Sequence, residues 1–120
     1  MKIALDIDDT ITKHPQFFSE LSYTHDCVIV TSRNNSKQSV ELAKQLLLTL
    51  NIRYSSIYFC DWQQEVDNNI ISSLEGSERL LYQKVTACKK EQVNAIFDDD
   101  PTVQQLIRKY LPEVAIFSPI

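Results

Sequence analysis

Apolar residues gather along the chain in five short runs, at 2–5, 27–30, 56–59, 93–97 and 114–117, rich in β-branched and aromatic side chains. The runs do not alternate strictly with polar residues, which predicts strands covered on both faces. Between them the period lengthens to that of a helix. Over 36–50, Val40, Ala43, Leu46, Leu47 and Leu50 share a stripe opposite Lys37, Glu41 and Lys44. Over 77–90 the stripe is Leu80, Leu81, Val85 and Cys88, and over 101–111 it is Val103, Leu106, Ile107 and Tyr110, behind a proline at a tolerated first-turn position. Strands alternating with helices predict βαβ units, whose right-handed crossovers build an α/β fold: a parallel sheet with helices on both faces.

Two connections are longer than the rest, 11–26 and 61–76, at 16 residues each. The first is expected to hold one short helix over 15–21. The second, with Trp62, Val66, Ile70, Ile71 and Leu74, reads as an amphipathic helix packed on the body. No internal repeat, linker or low-complexity stretch interrupts the pattern, so 1–120 is expected to be a single domain, with no room for a separate lid domain.

Composition narrows the chemistry. A net charge of -4 provides no basic footprint for gripping nucleic acid along its phosphates, though it leaves chemistry at a nucleic-acid end open. The single glycine, Gly76, excludes both a P-loop and a G-x-G-x-x-G dinucleotide site. Cys27, Cys60 and Cys88 are odd in number and lack C-x-x-C spacing, which suits a reducing compartment and small buried side chains. The first apolar run meets acid at Asp6 and no apolar run reaches 18 residues, so the expectation is a cytoplasmic chain without a membrane span. His14 and His25 have no metal-ligand partners at suitable spacing and read as surface residues. Ser32 and Ser118 lack a hydrolase elbow, and Phe17, Phe18, Tyr23, Tyr54 and Tyr58 read as core or rim residues.

In an open α/β sheet, ligands bind beyond the carboxyl ends of the strands, so the strand exits carry the functional reading. The first run exits into Asp6-Ile7-Asp8-Asp9-Thr10, the second into Thr31-Ser32-Arg33, and the fourth into Asp98-Asp99-Asp100-Pro101. Six carboxylates at two strand exits would repel one another strongly if they converged, and a hard cation with oxygen ligands, Mg²⁺ above all, is then their natural partner. Asp99 or Asp100 also has a plain structural reading, as the cap of the helix that Pro101 opens.

An apolar strand ending in D-x-D-x-T, a second ending in Thr-Ser and a later one ending in D-D resemble motifs one, two and four of the haloacid dehalogenase superfamily of phosphohydrolases, over residues 2–118. The resemblance implies a Rossmann-like three-layer sandwich with a five-stranded sheet of order 3-2-1-4-5. It also implies a Mg²⁺-dependent phosphatase working through aspartyl phosphate. Asp6 matches the nucleophile, Asp8 the general acid and base, and Thr31 the hydroxyl that binds a phosphoryl oxygen. Beside it Ser32 and Arg33 are candidates for further phosphate contacts, Arg33 having an equal reading as a solvated surface arginine. Asp6, Asp8, Asp98 and Asp99 match the metal site. Such a division of labour requires an ionised Asp6 on the metal and an Asp8 kept partly protonated.

The sequence departs from the family pattern in two places. Asp9 stands where the family often has glycine. The motif-three lysine, expected near the start of the helix before the fourth strand, has two candidates: Arg79, favoured for its first-turn position 19 residues before Asp98, and Lys84, the right residue type a turn further on. Two rival readings share the fold: a catalytically silent binding module, which a missing lysine would favour, and a receiver-type signalling domain using Asp8, Asp9 and Asp61. The short insertions predict an open mouth without a cap domain. The substrate is then a phosphate displayed on something large, such as a nucleic-acid end, a protein or a carrier-bound metabolite, unless a second subunit of a homo-oligomer serves as lid. Lys13, Arg33 and Arg53 could supply local positive potential there.

Overall fold

The computed structural model describes residues 1–62, 74 and 76–118. Five parallel strands, β1 (Lys2–Leu5), β2 (Asp26–Asn34), β3 (Ser56–Cys60), β4 (Ala95–Phe97) and β5 (Ala115–Phe117), form one sheet of order β3-β2-β1-β4-β5. Helices α1 (Pro15–Thr24) and α2 (Lys37–Thr49) cover one face, and α3 (Ser77–Glu91) and α4 (Pro101–Tyr110) the other. Among the described residues no helix is long and apolar enough to cross a membrane.

Both faces are dry because alternate residues of each central strand serve opposite cores. Ile3 and Leu5 of β1 and Cys27 and Ile29 of β2 pack with Phe18, Ala43 and Leu47. Ala4, Val28, Val30 and Ile96 pack with Val85, Cys88, Val103 and Ile107. Two-sided burial is why the strands read as continuous apolar runs. The three cysteines are free and buried, as expected from their composition.

The helices begin where the sequence signals them. Ser36 caps α2 by accepting the Ser39 N–H at 3.3 Å, and Asp100 caps α4 by accepting the Thr102 N–H at 2.8 Å, ahead of Pro101. Strand limits differ more. β2 runs four residues past the expected 27–30, because β3 continues to Cys60 and pairs with Asn34 after a register shift beyond Val30. Residues 31–34 are thereby extended without being apolar, since they lead to the site rather than line a core. β4 starts at Ala95 rather than at 93, because the Val93 N–H closes the end of α3 on the Cys88 carbonyl at 3.2 Å, behind a left-handed Gln92. The amphipathic helix expected within 61–76 falls largely outside the described residues. Of its apolar positions, Leu74 is buried in the α3–α4 core and Trp62 is exposed.

Directly after β1 the chain makes a wide turn, with the Thr12 N–H donating to the Ile7 carbonyl at 3.2 Å. Within it Asp9 takes φ 60° and ψ 7°, the left-handed conformation that glycine adopts at no steric cost. The Asp9 N–H donates to Thr12 Oγ1 at 3.0 Å, which holds the turn. Asp9→Gly is expected to keep or slightly raise stability, whereas Asp9→Val should cost about 1–2 kcal/mol, because a β-branched side chain clashes at positive φ. Urea denaturation of the two variants checks this, and equal midpoints would refute it.

Candidate active site

The sheet ladder continues one residue past two strands. The Asp6 N–H donates to the Phe97 carbonyl at 3.0 Å and the Asp98 N–H to the Phe117 carbonyl at 3.1 Å. Asp6 and Asp98 therefore leave β1 and β4 side by side, at the carboxyl edge and beside the point where the strand order reverses. Leu5 and Phe97 face the α1–α2 side, so the alternation of a strand turns the next residues toward α3. There Lys84 meets both carboxylates, with Nζ 3.0 Å from Asp6 Oδ1 and 2.7 Å from Asp98 Oδ2. All three side chains are buried.

Other groups complete the cluster. Thr10 Oγ1 lies 3.4 Å from both Asp6 Oδ2 and Asp99 Oδ1, so one hydroxyl links the two strand exits. The Asp100 N–H donates to Asp98 Oδ1 at 2.9 Å, and Gln104 Nε2 to the Asp98 carbonyl at 2.8 Å, which fixes Asp98 against the start of α4. Asp6, Asp98 and Asp99 each offer an oxygen within 4.8 Å of the others.

Burial and charge pull these groups apart electrostatically. Burial pushes the Asp6 carboxyl up to about 7, with Asp98 adding to the rise and Lys84 opposing it. Burial raises Asp98 as well, again against Lys84. Burial alone would lower the Lys84 ammonium, but the two carboxylates outweigh it and hold Lys84 above its ordinary value. One buried ammonium thus serves two buried carboxylates, and the cluster retains negative charge whenever both are ionised.

Asp8, a residue expected at the metal site, has its carboxylate outside the cluster of Asp6, Asp98 and Asp99. Its backbone is extended, and its half-exposed side chain takes a two-pronged grip from Arg33, Nε to Oδ2 at 2.9 Å and a terminal nitrogen to Oδ1 at 2.8 Å. Hydrogen bonding from Arg33 lowers the Asp8 carboxyl below the usual range. The two carboxyls are therefore shifted in opposite directions. Asp6 is the carboxyl pushed up, because it is buried, and Asp8 is held ionised, because it faces a guanidinium.

The remaining candidates separate clearly. Thr31 is fully buried and its hydroxyl accepts the Arg33 N–H at 3.1 Å, so it shapes the end of β2 that presents Arg33. Ser32 contributes its carbonyl, which accepts from the Trp62 indole N–H at 2.9 Å. Arg79 is exposed and its Nε donates to the Leu74 carbonyl at 2.8 Å, away from the carboxylates. The preference for Arg79 over Lys84 is thus corrected. Position in the first turn mattered less than helix face, since Lys84 lies three residues after Leu81 and four before Cys88 on the buried side. Thr10 is a site residue beyond those the sequence singles out, and its place four residues after Asp6 in D-x-D-x-T is its signal.

Fold and site together define a class: a doubly wound α/β body with convergent carboxylates at the exits of the two strands flanking its topological switch point. Solved structures similar to it come from the Pnkp1/Rnl/Hen1 complex, at TM-score 0.67 and 16% identity over 98% of this chain and 45% of that one. A second comes from the Pnkp1/Rnl/Hen1 RNA repair complex, at the same TM-score and identity, over 98% of this chain and 42% of that one. The likeness is one of fold, and this chain spans less than half the length of either neighbour. No family model matches the chain, and no curated protein sequence does.

Two outcomes follow from the buried cluster. Lys84→Met leaves two buried carboxylates facing each other and should cost about 3–5 kcal/mol in metal-free buffer, whereas Arg79→Met should stay within about 0.5 kcal/mol of wild type. Urea titration separates them, and equal effects would remove Lys84 from its structural role. Because the folded Asp6 titrates near 7 and the unfolded one near 3.8, the folded state holds an extra proton between these values. Stability from this group is therefore present at low pH and lost as pH rises toward about 7. Chelator-treated wild type should lose thermal stability over that window relative to Asp6→Asn, and parallel pH curves for the two would refute the shift.

Proposed function

We propose that this chain is a Mg²⁺-dependent phosphomonoesterase of the haloacid dehalogenase type, working through an aspartyl phosphate on Asp6. The observation that carries this reading is the convergence of Asp6, Lys84 and Asp98, with Asp99 alongside, at the strand exits beside the switch point. The donor set fits a hard cation. It is made of carboxylate oxygens, two of the three residues are buried, and a single ammonium leaves their charge incompletely offset. Asp6, Asp98 and Asp99 are the residues that would hold Mg²⁺, which when bound offsets the charge that builds on the phosphoryl oxygens.

The chain's own groups then divide the work. An ionised oxygen of Asp6 forms the bond to phosphorus as the ester oxygen departs, and the departing oxygen takes a proton from Asp8. Water next adds to phosphorus and gives its proton to Asp8, and Asp6 leaves as the carboxylate. Lys84 keeps Asp6 oriented and favours its ionised form. Asp8 has to be released from Arg33 before it can carry a proton. The guanidinium fork fits phosphate oxygens as well as it fits a carboxylate, so an incoming phosphate that draws Arg33 to itself frees Asp8 at the moment an acid is needed.

Lys84 in the cluster removes the main reason for reading the chain as a catalytically silent module. The receiver reading draws on Asp61, which is not among the converging carboxylates. Fold neighbours that belong to an RNA repair complex support a phosphate carried by a macromolecule.

Wild-type protein is expected to hydrolyse p-nitrophenyl phosphate only with Mg²⁺, and Asp6→Asn to lower kcat on the order of a thousandfold or more while remaining folded. Asp98→Asn should raise the Mg²⁺ concentration needed for half-maximal rate more than Asp100→Ala does, since Asp100 caps α4. Absence of Mg²⁺-dependent turnover by the wild type, with this and other phosphomonoesters, would overturn the proposal in favour of the binding module.

A further inference from the structure

An indole stands over the exit of β2, beside the carboxylate cluster. The Asp61 N–H donates to Gln83 Oε1 and Gln83 Nε2 to the Asp61 carbonyl, both at 2.8 Å, so the residue before Lys84 on α3 holds the chain that leaves β3. Cys60, the last residue of β3, is buried, with Sγ 3.5 Å from the Thr31 carbonyl and 3.8 Å from the Leu80 carbonyl of α3. From there Trp62 turns back over β2, where its indole N–H donates to the Ser32 carbonyl at 2.9 Å. The ring is fixed by its polar edge, yet the residue is 60% exposed. The Gln83 anchor puts it on the α3 side, to which Asp6, Asp98 and Lys84 also turn. The exposed rings of Phe17 and Phe117, by contrast, flank Phe97 on the α1–α2 side.

We propose that Trp62 receives the base of a nucleoside phosphate, which makes a nucleotide the substrate class of the site. The proposal rests on the phosphomonoesterase reading above and adds what the phosphate is attached to. Asp8, the group that protonates the departing oxygen in that reading, is gripped by Arg33 at the end of β2, so the ester leaves toward β2 and away from β4. Leu5 pairs with Ile29, which puts Asp6 level with Val30 and Ser32 two residues further out on the adjacent strand. With strands about 5 Å apart and a rise of about 3 Å per residue, the indole N–H on Ser32 lies roughly 10 Å from the Asp6 backbone. A phosphoryl group and a pentose fill that span, which brings the base to the ring. A pentose phosphate without its base ends short of it. An indole whose N–H is already bonded offers only its π-face, and that face rewards a planar ring. The net charge of -4 leaves little with which to hold a phosphodiester backbone, so recognition is confined to the one nucleoside that bears the phosphate, free or at the end of a strand.

Trp62 is the single tryptophan of the chain, so its fluorescence reports on the site directly. AMP and ribose 5-phosphate share the phosphate and the sugar and differ in the base. Titrated with Mg²⁺ into Asp6→Asn, in which turnover is lost, AMP is expected to quench the emission and ribose 5-phosphate at the same concentration to leave it unchanged. Equal responses would overturn the proposal. In kcat/KM the wild type should favour AMP by about tenfold or more, and Trp62→Ala should bring the ratio toward one by slowing AMP alone. Trp62→Phe, which keeps a ring and loses the bond to Ser32, should retain most of the preference, and Phe17→Ala, on the opposite face, all of it. The Trp62 ring is exposed, so circular dichroism should report an unchanged fold. A wild-type ratio near one, or a ratio unmoved by Trp62→Ala, would overturn the base site and leave the phosphatase reading standing. An equal loss for both substrates in Trp62→Ala would overturn it too, since Trp62 would then only order the exit of β2. If no phosphomonoester is hydrolysed, the phosphatase reading fails by itself, and the quenching experiment decides the base site alone. A short oligonucleotide with the same 5′-phosphate assigns the source: strand ends if it is turned over at least as well as AMP, free nucleotides if it is not.

Discussion

A buried ammonium is the constraint on which the carboxyl edge of this sheet depends. Asp6 and Asp98 stand on adjacent strands with their side chains turned the same way, an arrangement that two buried carboxylates cannot sustain without compensation. Lys84 provides it by reaching from the middle of α3 across the face of the sheet to both. The contact joins β1 to α3 and β4, which lie some 80 residues further along the chain, at a place where apolar packing gives way to polar groups. The position of α3 over the switch point is thus set by charge as well as by the Val85 and Cys88 contacts beneath it.

Depth then assigns different chemistry to residues of the same type. Asp6 and Asp8 are two positions apart, yet one is enclosed and shares an ammonium, and the other projects to the surface and is gripped by a guanidinium. The wide turn with its left-handed Asp9 produces this separation, because it carries Asp8 out of the line of β1 before Thr10 turns back between Asp6 and Asp99. A regular helix or strand beginning at Asp6 would put these groups on other faces.

Apolar runs and stripes were enough to read the five strands, three of the four described helices and their α/β arrangement, because a sheet buried on both sides leaves its mark on every strand. The strand order came from the family resemblance, since periodicity does not say which strands are neighbours. Asp6, Asp98 and Asp99 were legible as acids at strand exits, and Asp100 as a cap before proline. The rank of Lys84 along the helix hides its role and its face reveals it, since a lysine within the Leu80, Leu81, Val85 and Cys88 stripe is a charge in search of a buried partner. The Asp8–Arg33 pair was out of reach, since it depends on a turn of five residues and on a register shift in β2 that place groups 25 positions apart within 3 Å. Thr31 was legible as the hydroxyl at the exit of β2, whereas its contact with the Arg33 N–H was not, because an extended segment does not reveal which way a hydroxyl points.

The strand order also governs how the chain can fold. β1 lies at the centre and pairs with β2 on one side and β4 on the other, so one of its edges waits until some 90 further residues have been made. The Asp6–Lys84 contact closes a loop of 78 residues and belongs with the late, entropically expensive contacts. An early unit of β1, α1, β2, α2 and β3 would present a sheet with one apolar face and one edge uncovered, which is the condition under which parallel sheets fold slowly and associate wrongly. Docking of α3 and β4 covers both surfaces in one step and brings Lys84 to Asp6 in the same movement. Assembly of the site and closure of the sheet are therefore a single cooperative event in the life of the chain.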